Sequence, residues 1–257
     1  MTSPSETHAD RVAVVTGAGR GIGRAIAVGL AQRGATVIAV DREPAEETSE
    51  SIHEAGLTCF PVTADVSDPG DVQRLHDVVT QQFGTCDIVV NNAAISGAAP
   101  WNKLDYSFWR RVLITNLDSQ FLVSTVFAQG MMEKGRGRIV NISSSSIYSG
   151  PPGLTAYLTS KAGVLGLTAG LSADLAPYGI TVNAVSPPFT RTQMVDEGVA
   201  AGAFPPDIDN LLAAQQSIRR PGAPRDVVGA VCFLSGDEAD FVTGQFIVVD
   251  GGLTRHF

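Results

Sequence analysis

Short β-branched runs alternate with longer helical patterns from one end of this chain to the other. Runs at 12–16, 36–40, 59–63, 87–91, 138–142, 181–185 and 245–249 predict strands. Most are nearly continuous apolar stretches, the pattern of strands covered on both faces. Helix-length segments lie between them at 21–33, 44–55, 69–83, 107–134, 155–176 and 224–234. Alternation of this kind predicts an α/β fold: one doubly wound Rossmann-type domain, 1–257, with a seven-stranded parallel sheet and helices on both faces. The stretch 186–224 breaks the rhythm. It carries Pro187, Pro188, Pro205, Pro206 and Pro221 and follows the sixth strand. A connection this long at the carboxyl edge of an open sheet predicts a substrate loop within the domain.

Composition narrows the function classes. With 26 acidic against 18 basic residues the net charge is −8, which argues against nucleic acid and basic membrane attachment. Cys59, Cys86 and Cys232 are far apart, without CxxC or CxxH spacing, so they read as small core residues and no metal site is expected. The polar opening MTSPSETHAD and the lack of a run near ~18 apolar residues lead us to expect a cytoplasmic protein.

Candidate chemistry begins where the first strand meets a helix, at Thr16-Gly17-Ala18-Gly19-Arg20-Gly21-Ile22-Gly23. Glycines let the backbone turn tightly and approach a pyrophosphate, and the helix amino terminus offers free N–H groups. An acid, Asp41, closes the next strand eighteen residues after Gly23. A carboxylate there can accept from ribose hydroxyls and would repel a 2′-phosphate, so NAD is favoured over NADP. Arg20 and Arg42 are the neighbouring groups that could meet a phosphate instead.

The spacing TGxxxGIG resembles the short-chain dehydrogenase/reductase family, and further residues extend the resemblance over nearly the whole chain. Asp65-Val66 looks like the family's adenine-contacting pair, and Asn91-Asn92-Ala93-Ala94 is similar to its NNAG element, with Ala94 in place of glycine. Read alone, Asp65 could be a helix cap and Asn91-Asn92 a turn. Asn183-Ala-Val-Ser-Pro187 followed by Pro188 departs from the family's NxxxPG and removes an N–H donor. The resemblance implies nicotinamide contacts from Pro187, the backbone from Phe189 to Thr190, and the Thr192 hydroxyl.

Tyr157 and Lys161 stand four residues apart, hence on one helical face. A free tyrosine ionises near ~10, and a nearby ammonium favours the phenolate. Only three lysines occur among the 18 basic residues, so a lysine here reads as a chemical requirement. The resemblance makes Tyr157 the general base, Lys161 its partner and a ribose ligand, and Ser144 the group that holds the substrate oxygen. It adds Asn116 as a fourth member that shapes a kink and a water-mediated proton path near Lys161.

Other residues carry blander expectations. Tyr106 and Tyr178 read as packing, Trp101 and Trp109 as core or interface, and His8, His53, His76 and His256 mostly as surface. Ile95, Ser96, Ser146, Tyr148, Pro188 and Phe189, with a lid at 193–217, form the expected pocket lining. The expected activity is NAD-dependent oxidation of a secondary alcohol or reduction of a ketone, with a small-molecule substrate. Segments 116–119 and 251–256 resemble those of 1-phenylethanol and pyridoxal dehydrogenases within the family, which points to an aryl or cyclic alcohol. An NADPH-dependent 3-oxoacyl-acyl-carrier-protein reductase is the first alternative. Asp41 argues against it, as do Gly135 and Tyr178 where those reductases tend to carry basic residues. A cofactor-binding regulator without turnover is the other. The family's usual assembly implies a homotetramer, and small residues at Ala162, Gly163, Gly166, Ala169, Gly170 and Ala173 would permit close helix approach.

Overall fold

In the computed structural model, which describes residues 6–191, 195–196, 199 and 204–255, seven strands form one parallel sheet in the order β3-β2-β1-β4-β5-β6-β7. The strands are β1 Val12–Thr16, β2 Thr36–Asp41, β3 Cys59–Thr63, β4 Ile88–Asn91, β5 Gly137–Ile142, β6 Ile180–Ser186 and β7 Phe246–Val248. Burial follows position in the sheet. Every residue of β4, β5 and β6 is buried, because helices cover both faces, whereas the edge strand β3 alternates. Pro61 sits in that edge strand, where a missing N–H costs no ladder bond on the open side.

The helices are α1 Gly21–Ala31, α2 Glu46–Glu54, α3 Pro69–Phe83, α4 Tyr106–Leu113, α5 Ser119–Lys134, α6 Ser146–Ser149, α7 Thr155–Leu175, α8 Ile208–Ala213 and α9 Val228–Ser235. Successive strand residues feed two separate cores. Ala13 and Val15 pack with Ile26, Leu30, Val231 and Leu234 on one face; Val14 packs with Leu75, Val79, Phe127 and Met131 on the other. α3 starts as its sequence dictates: Pro69 occupies the first turn and the Asp68 carboxylate accepts the Asp71 N–H at 2.9 Å.

Several expectations need correction. The helix expected over 107–134 is divided, because a π-helical segment, Ile114–Asp118, separates α4 from α5. His8 is not on the surface: it is 1% exposed, with Nε2 2.9 Å from the Ser235 hydroxyl. Burial, with Arg11 and Arg33 nearby, pushes its imidazole down to about 4. Tyr106 and Tyr178 are exposed rather than part of the core, at 76% and 44%, and Trp101, at 80%, is not a core residue. The three cysteines are buried and free, as expected.

Candidate active site

The sheet order reverses direction between β1 and β4, and this topological switch point places the loops after β1, β4, β5 and β6 along one carboxyl edge. The glycine loop after β1 is pinned on both sides of one residue, Gly19. The Gly19 N–H donates to Asp41 Oδ2 at 3.0 Å, while Arg24 Nε donates to the Gly19 carbonyl at 3.1 Å. Thr48, fully buried on α2, donates to the neighbouring Ala18 carbonyl at 2.8 Å. Gly17, at φ +63°, has Ala93 Cα and Asn92 Nδ2 both 2.9 Å from where a Cβ would stand, so this position admits only glycine. A Cβ on Gly23 would lie 2.0 Å from the Gly17 carbonyl, which shows how closely α1 approaches the loop.

These observations fit a dinucleotide. Gly19, Arg20, Gly21, Ile22 and Gly23 form the turn and first residues of α1, and Asp41 stands beside the loop at the end of β2. Arg42 is exposed next to it. Asn92 joins the loops, donating through Nδ2 to the Thr16 carbonyl at 2.9 Å, while the Thr16 hydroxyl accepts the Asn92 and Ala93 N–H groups. Ala94, partly buried, follows them in the β4 loop. Asp65 accepts from the Ser67 N–H at 2.9 Å and so organises the turn before α3, with Val66 buried behind it.

Four candidate catalytic residues converge from three elements. Ser144 follows β5, and its Oγ accepts the Ser146 N–H at 3.2 Å, leaving its proton free to point elsewhere. Tyr157 and Lys161 lie on α7, with the ammonium 6.0 Å from the phenol ring centroid. Burial raises the Tyr157 phenol above its ordinary value of 10, and a hydrogen bond with Ser144 works in the opposite sense. Lys161 is 2% exposed and donates to the Ile142 carbonyl at 2.8 Å. Burial alone pushes it down to about 7. A phenol that resists ionising and a lysine that gives up its proton easily are thus held side by side on one helix.

Asn116 is fully buried in the π segment, where the wider turn reaches toward two neighbours at once. Its Oδ1 accepts the Ile95 N–H at 2.8 Å, and its Nδ2 donates to the Ile95 carbonyl at 3.0 Å and the Ser160 hydroxyl at 3.1 Å. Ser160 in turn donates to the Tyr157 carbonyl at 2.7 Å. The side chain of Asn116 therefore braces the loop after β4 against α7.

On the far side, Pro187 and Pro188 are buried at the end of β6. Pro188 lies against Gly222, where an added Cβ would meet the ring at 2.7 Å and the Phe189 carbonyl at 2.8 Å. Thr190 pairs with Gly222 in an isolated parallel bridge, closing the base of the 186–224 segment. Arg191 then gathers that segment, with Nε 2.6 Å from Asp196 and Nη1 3.0 Å from both Asp209 and the Pro206 carbonyl. Phe189 meets Phe204 edge-on with ring centroids 5.9 Å apart. Thr192 lies outside the described residues, as does part of the expected lid.

Sequence reasoning missed Arg24, Thr48, Ser160 and Gln120, which bond to the candidate residues or to their supports. Arg24 alone left a usable signal, since a basic residue one position past the last loop glycine can fold back over the loop.

Comparison with known proteins shows the family. A family model described as enoyl-(acyl carrier protein) reductase matches residues 17–254. The cis-4-hydroxycyclohexanecarboxylate dehydrogenase of Sinomonas cyclohexanicum is 39% identical over 251 residues, 97% of this chain and 98% of that protein. A 3-oxoacyl-acyl-carrier-protein reductase of Staphylococcus aureus is 37% identical over 94% of this chain and 97% of its own length. A crystal structure from Agrobacterium tumefaciens, assigned as a gluconate dehydrogenase, superposes with a TM-score of 0.91 at 33% identity, covering 100% of both chains. The chain belongs to the short-chain dehydrogenase/reductase family and is an oxidoreductase.

Proposed function

We propose that this protein is an NAD-dependent dehydrogenase of a secondary alcohol, working reversibly on the corresponding ketone. The observation that carries the reading is Tyr157 beside a buried Lys161 and hydrogen-bonded to Ser144, on the same sheet edge as the glycine loop. Bound NAD supplies the hydride acceptor. Ser144 holds the substrate oxygen, and Tyr157 Oη takes the hydroxyl proton as the carbinol carbon gives up its hydride. Lys161, while protonated, would favour the phenolate electrostatically, and it would hydrogen-bond the nicotinamide ribose of bound NAD. Asn116 keeps α7 in register with the loop after β4. Pro187, Phe189 and Thr190 would hold the nicotinamide end, while Asp65, Val66, Asn92, Ala93 and Ala94 would hold the adenine end and the bridge between. The proposed lining of Ile95, Ser96, Ser146, Tyr148, Pro188 and Phe189 is mixed but mainly apolar and would suit an aryl or cyclic alcohol. Similarity to a relative named for a hydroxycyclohexanecarboxylate supports a cyclic one. Rates of NAD reduction with cyclic and aryl secondary alcohols test the reading, and no rate above background with any of them would count against it.

Cofactor preference rests on Asp41, whose Oδ2 already receives the Gly19 N–H. Asp41→Ala is expected to weaken NAD use and to shift the NAD-to-NADP ratio of kcat/KM toward NADP by about tenfold or more, since charge repulsion at a phosphate disappears. An unchanged ratio would remove Asp41 from the ribose. The second reading, an NADPH-dependent reductase of 3-oxoacyl thioesters, draws on the similarity to the Staphylococcus aureus enzyme. It requires the opposite cofactor ratio in the unmodified protein.

The assembly is proposed to be a homotetramer. Ala162, Gly166, Ala169, Gly170 and Ala173 are exposed along α7, and a Cβ on Gly166 or Gly170 would meet nothing within 4 Å. That leaves an open strip for a second copy's backbone; Gly163 differs, since it packs on Leu117 of its own chain. Light scattering is expected to give a mass near four times 26.9 kDa, and a fully active species at the mass of one chain would contradict the tetramer.

A further inference from the structure

Gln120 lies one turn beyond Asn116, at the start of α5, and is 1% exposed. Its Nε2 donates to the Ile142 carbonyl at 3.3 Å, the same oxygen to which Lys161 Nζ donates at 2.8 Å. Ile142 ends β5, two residues before Ser144. Two side chains from neighbouring helices, α5 and α7, therefore divide one carbonyl in a buried space. Gln120 Oε1 has no hydrogen-bond partner, although a buried acceptor left unpaired is costly. An apolar side chain of similar length would fill the position without that cost, so a glutamine here calls for a reason.

We propose that Gln120 is a positioning residue for Lys161, setting through the shared Ile142 carbonyl how firmly the ammonium is held. A carbonyl that accepts two donors binds each less strongly than it would bind one, and the amide N–H also places positive charge density beside the ammonium. Both effects make the protonated lysine easier to discharge. Burial lowers Lys161 and no charged side chain of any neighbouring element adds to that, Tyr157 being the titratable group beside it; the Gln120 amide acts on top of burial, through the shared carbonyl. Gln120 would thus keep Lys161 close to the point of losing its proton. The inference rests on the reading of Lys161 as the partner of Tyr157, but its physical core is a contact within the cofactor-free protein.

The test is thermal stability against pH for the full chain without cofactor. A lysine depressed in the fold and normal in the unfolded chain makes stability rise with pH from its folded value toward ~10.5. Gln120→Glu sets a negative charge beside the ammonium, so the onset of that rise is expected to move up by about one pH unit or more. Gln120→Leu, which frees the carbonyl for Lys161 alone, is expected to move it up by less. Lys161→Met removes the rise and identifies its source. If Gln120→Glu does not fold, Gln120→Leu still decides the matter. Onsets in both variants equal to that of the unmodified protein would overturn the proposal, as would a shift downward. Because this readout needs no substrate, its failure is distinct from a failure to find turnover. Where a substrate is turned over, the same upward displacement is expected in the basic limb of kcat/KM against pH, a displacement that mere loss of packing would not produce.

Discussion

Tyr157→Phe is expected to lower kcat for alcohol oxidation by about three orders of magnitude while leaving NAD affinity within a few-fold of normal. The substitution deletes one oxygen. The ring stays half-buried on α7, and the brace from Ser160 reaches the Tyr157 carbonyl rather than its side chain, so the local fold survives. What disappears is the proton acceptor, and with it the hydrogen bond to Ser144. In the free protein burial holds the phenol above its ordinary value, so the base form must be stabilised by Lys161 and by the positive charge of bound NAD. Oxidation by the unmodified protein should accordingly speed up as pH rises through the tyrosine's working value. Steady-state rates together with a fluorescence titration of cofactor separate the two effects. A folded Tyr157→Phe protein with a tenth of normal turnover would remove Tyr157 from the chemistry.

Lys161→Met should be as damaging to turnover and yet make the protein more stable. Lys161 is among the largest fully buried side chains, and its charged form has the Ile142 carbonyl as partner. Burial lowers it from 10.5 to about 7. The sign follows directly. Below pH 7 both folded and unfolded chains hold the proton, and the buried ammonium costs its full amount. Between 7 and ~10.5 the unfolded chain still holds it while the folded chain has released it, so the penalty shrinks as pH rises. A methionine of similar length carries no such penalty, and Gln120 still donates to the carbonyl left behind. The melting temperature of Lys161→Met is expected to exceed that of the unmodified protein by about 5 °C at pH 6.5, with the margin narrowing toward pH 10. A variant less stable at pH 6.5 would show that the lysine's contacts outweigh its desolvation. A margin that does not change with pH would show that Lys161 is not depressed in the fold.

Strands were the most legible part of the fold. An apolar run bounded by glycine or asparagine needs no partner to be recognised, and β1 and β3 fall on the expected residues while the others shift by one residue at one end or both. The division of the long fourth helix was not legible. Ile114–Asp118 has no proline or glycine, and the extra residue in that turn is fixed by Asn116 reaching Ile95 and Ser160, contacts far apart in sequence. The same limit explains His8. A histidine near a polar terminus looks solvated, and only the return of α9 to the start of the chain places Ser235 against it. Within the candidate site, residues set by local spacing were found: the glycines on their turn, Tyr157 and Lys161 on their helix. Residues that support them from elsewhere, Thr48 and Gln120, were not, because a threonine or glutamine within a helix carries no mark of what it will meet. Small residues on α7 were visible as a strip, yet only the structure separates Gly163, which packs on Leu117, from Gly166 and Gly170, which face open space.

Isotope transfer addresses the central claim most directly. A cyclic or aryl secondary alcohol carrying deuterium on its carbinol carbon would be incubated with NAD and the protein, and the reduced cofactor weighed by mass spectrometry. The expected result is one deuterium in the reduced cofactor, with the ketone formed in equal amount, and neither product when Tyr157→Phe replaces the unmodified protein. Reduced cofactor without the label, or label transferred to NADP in clear preference to NAD, would contradict the account.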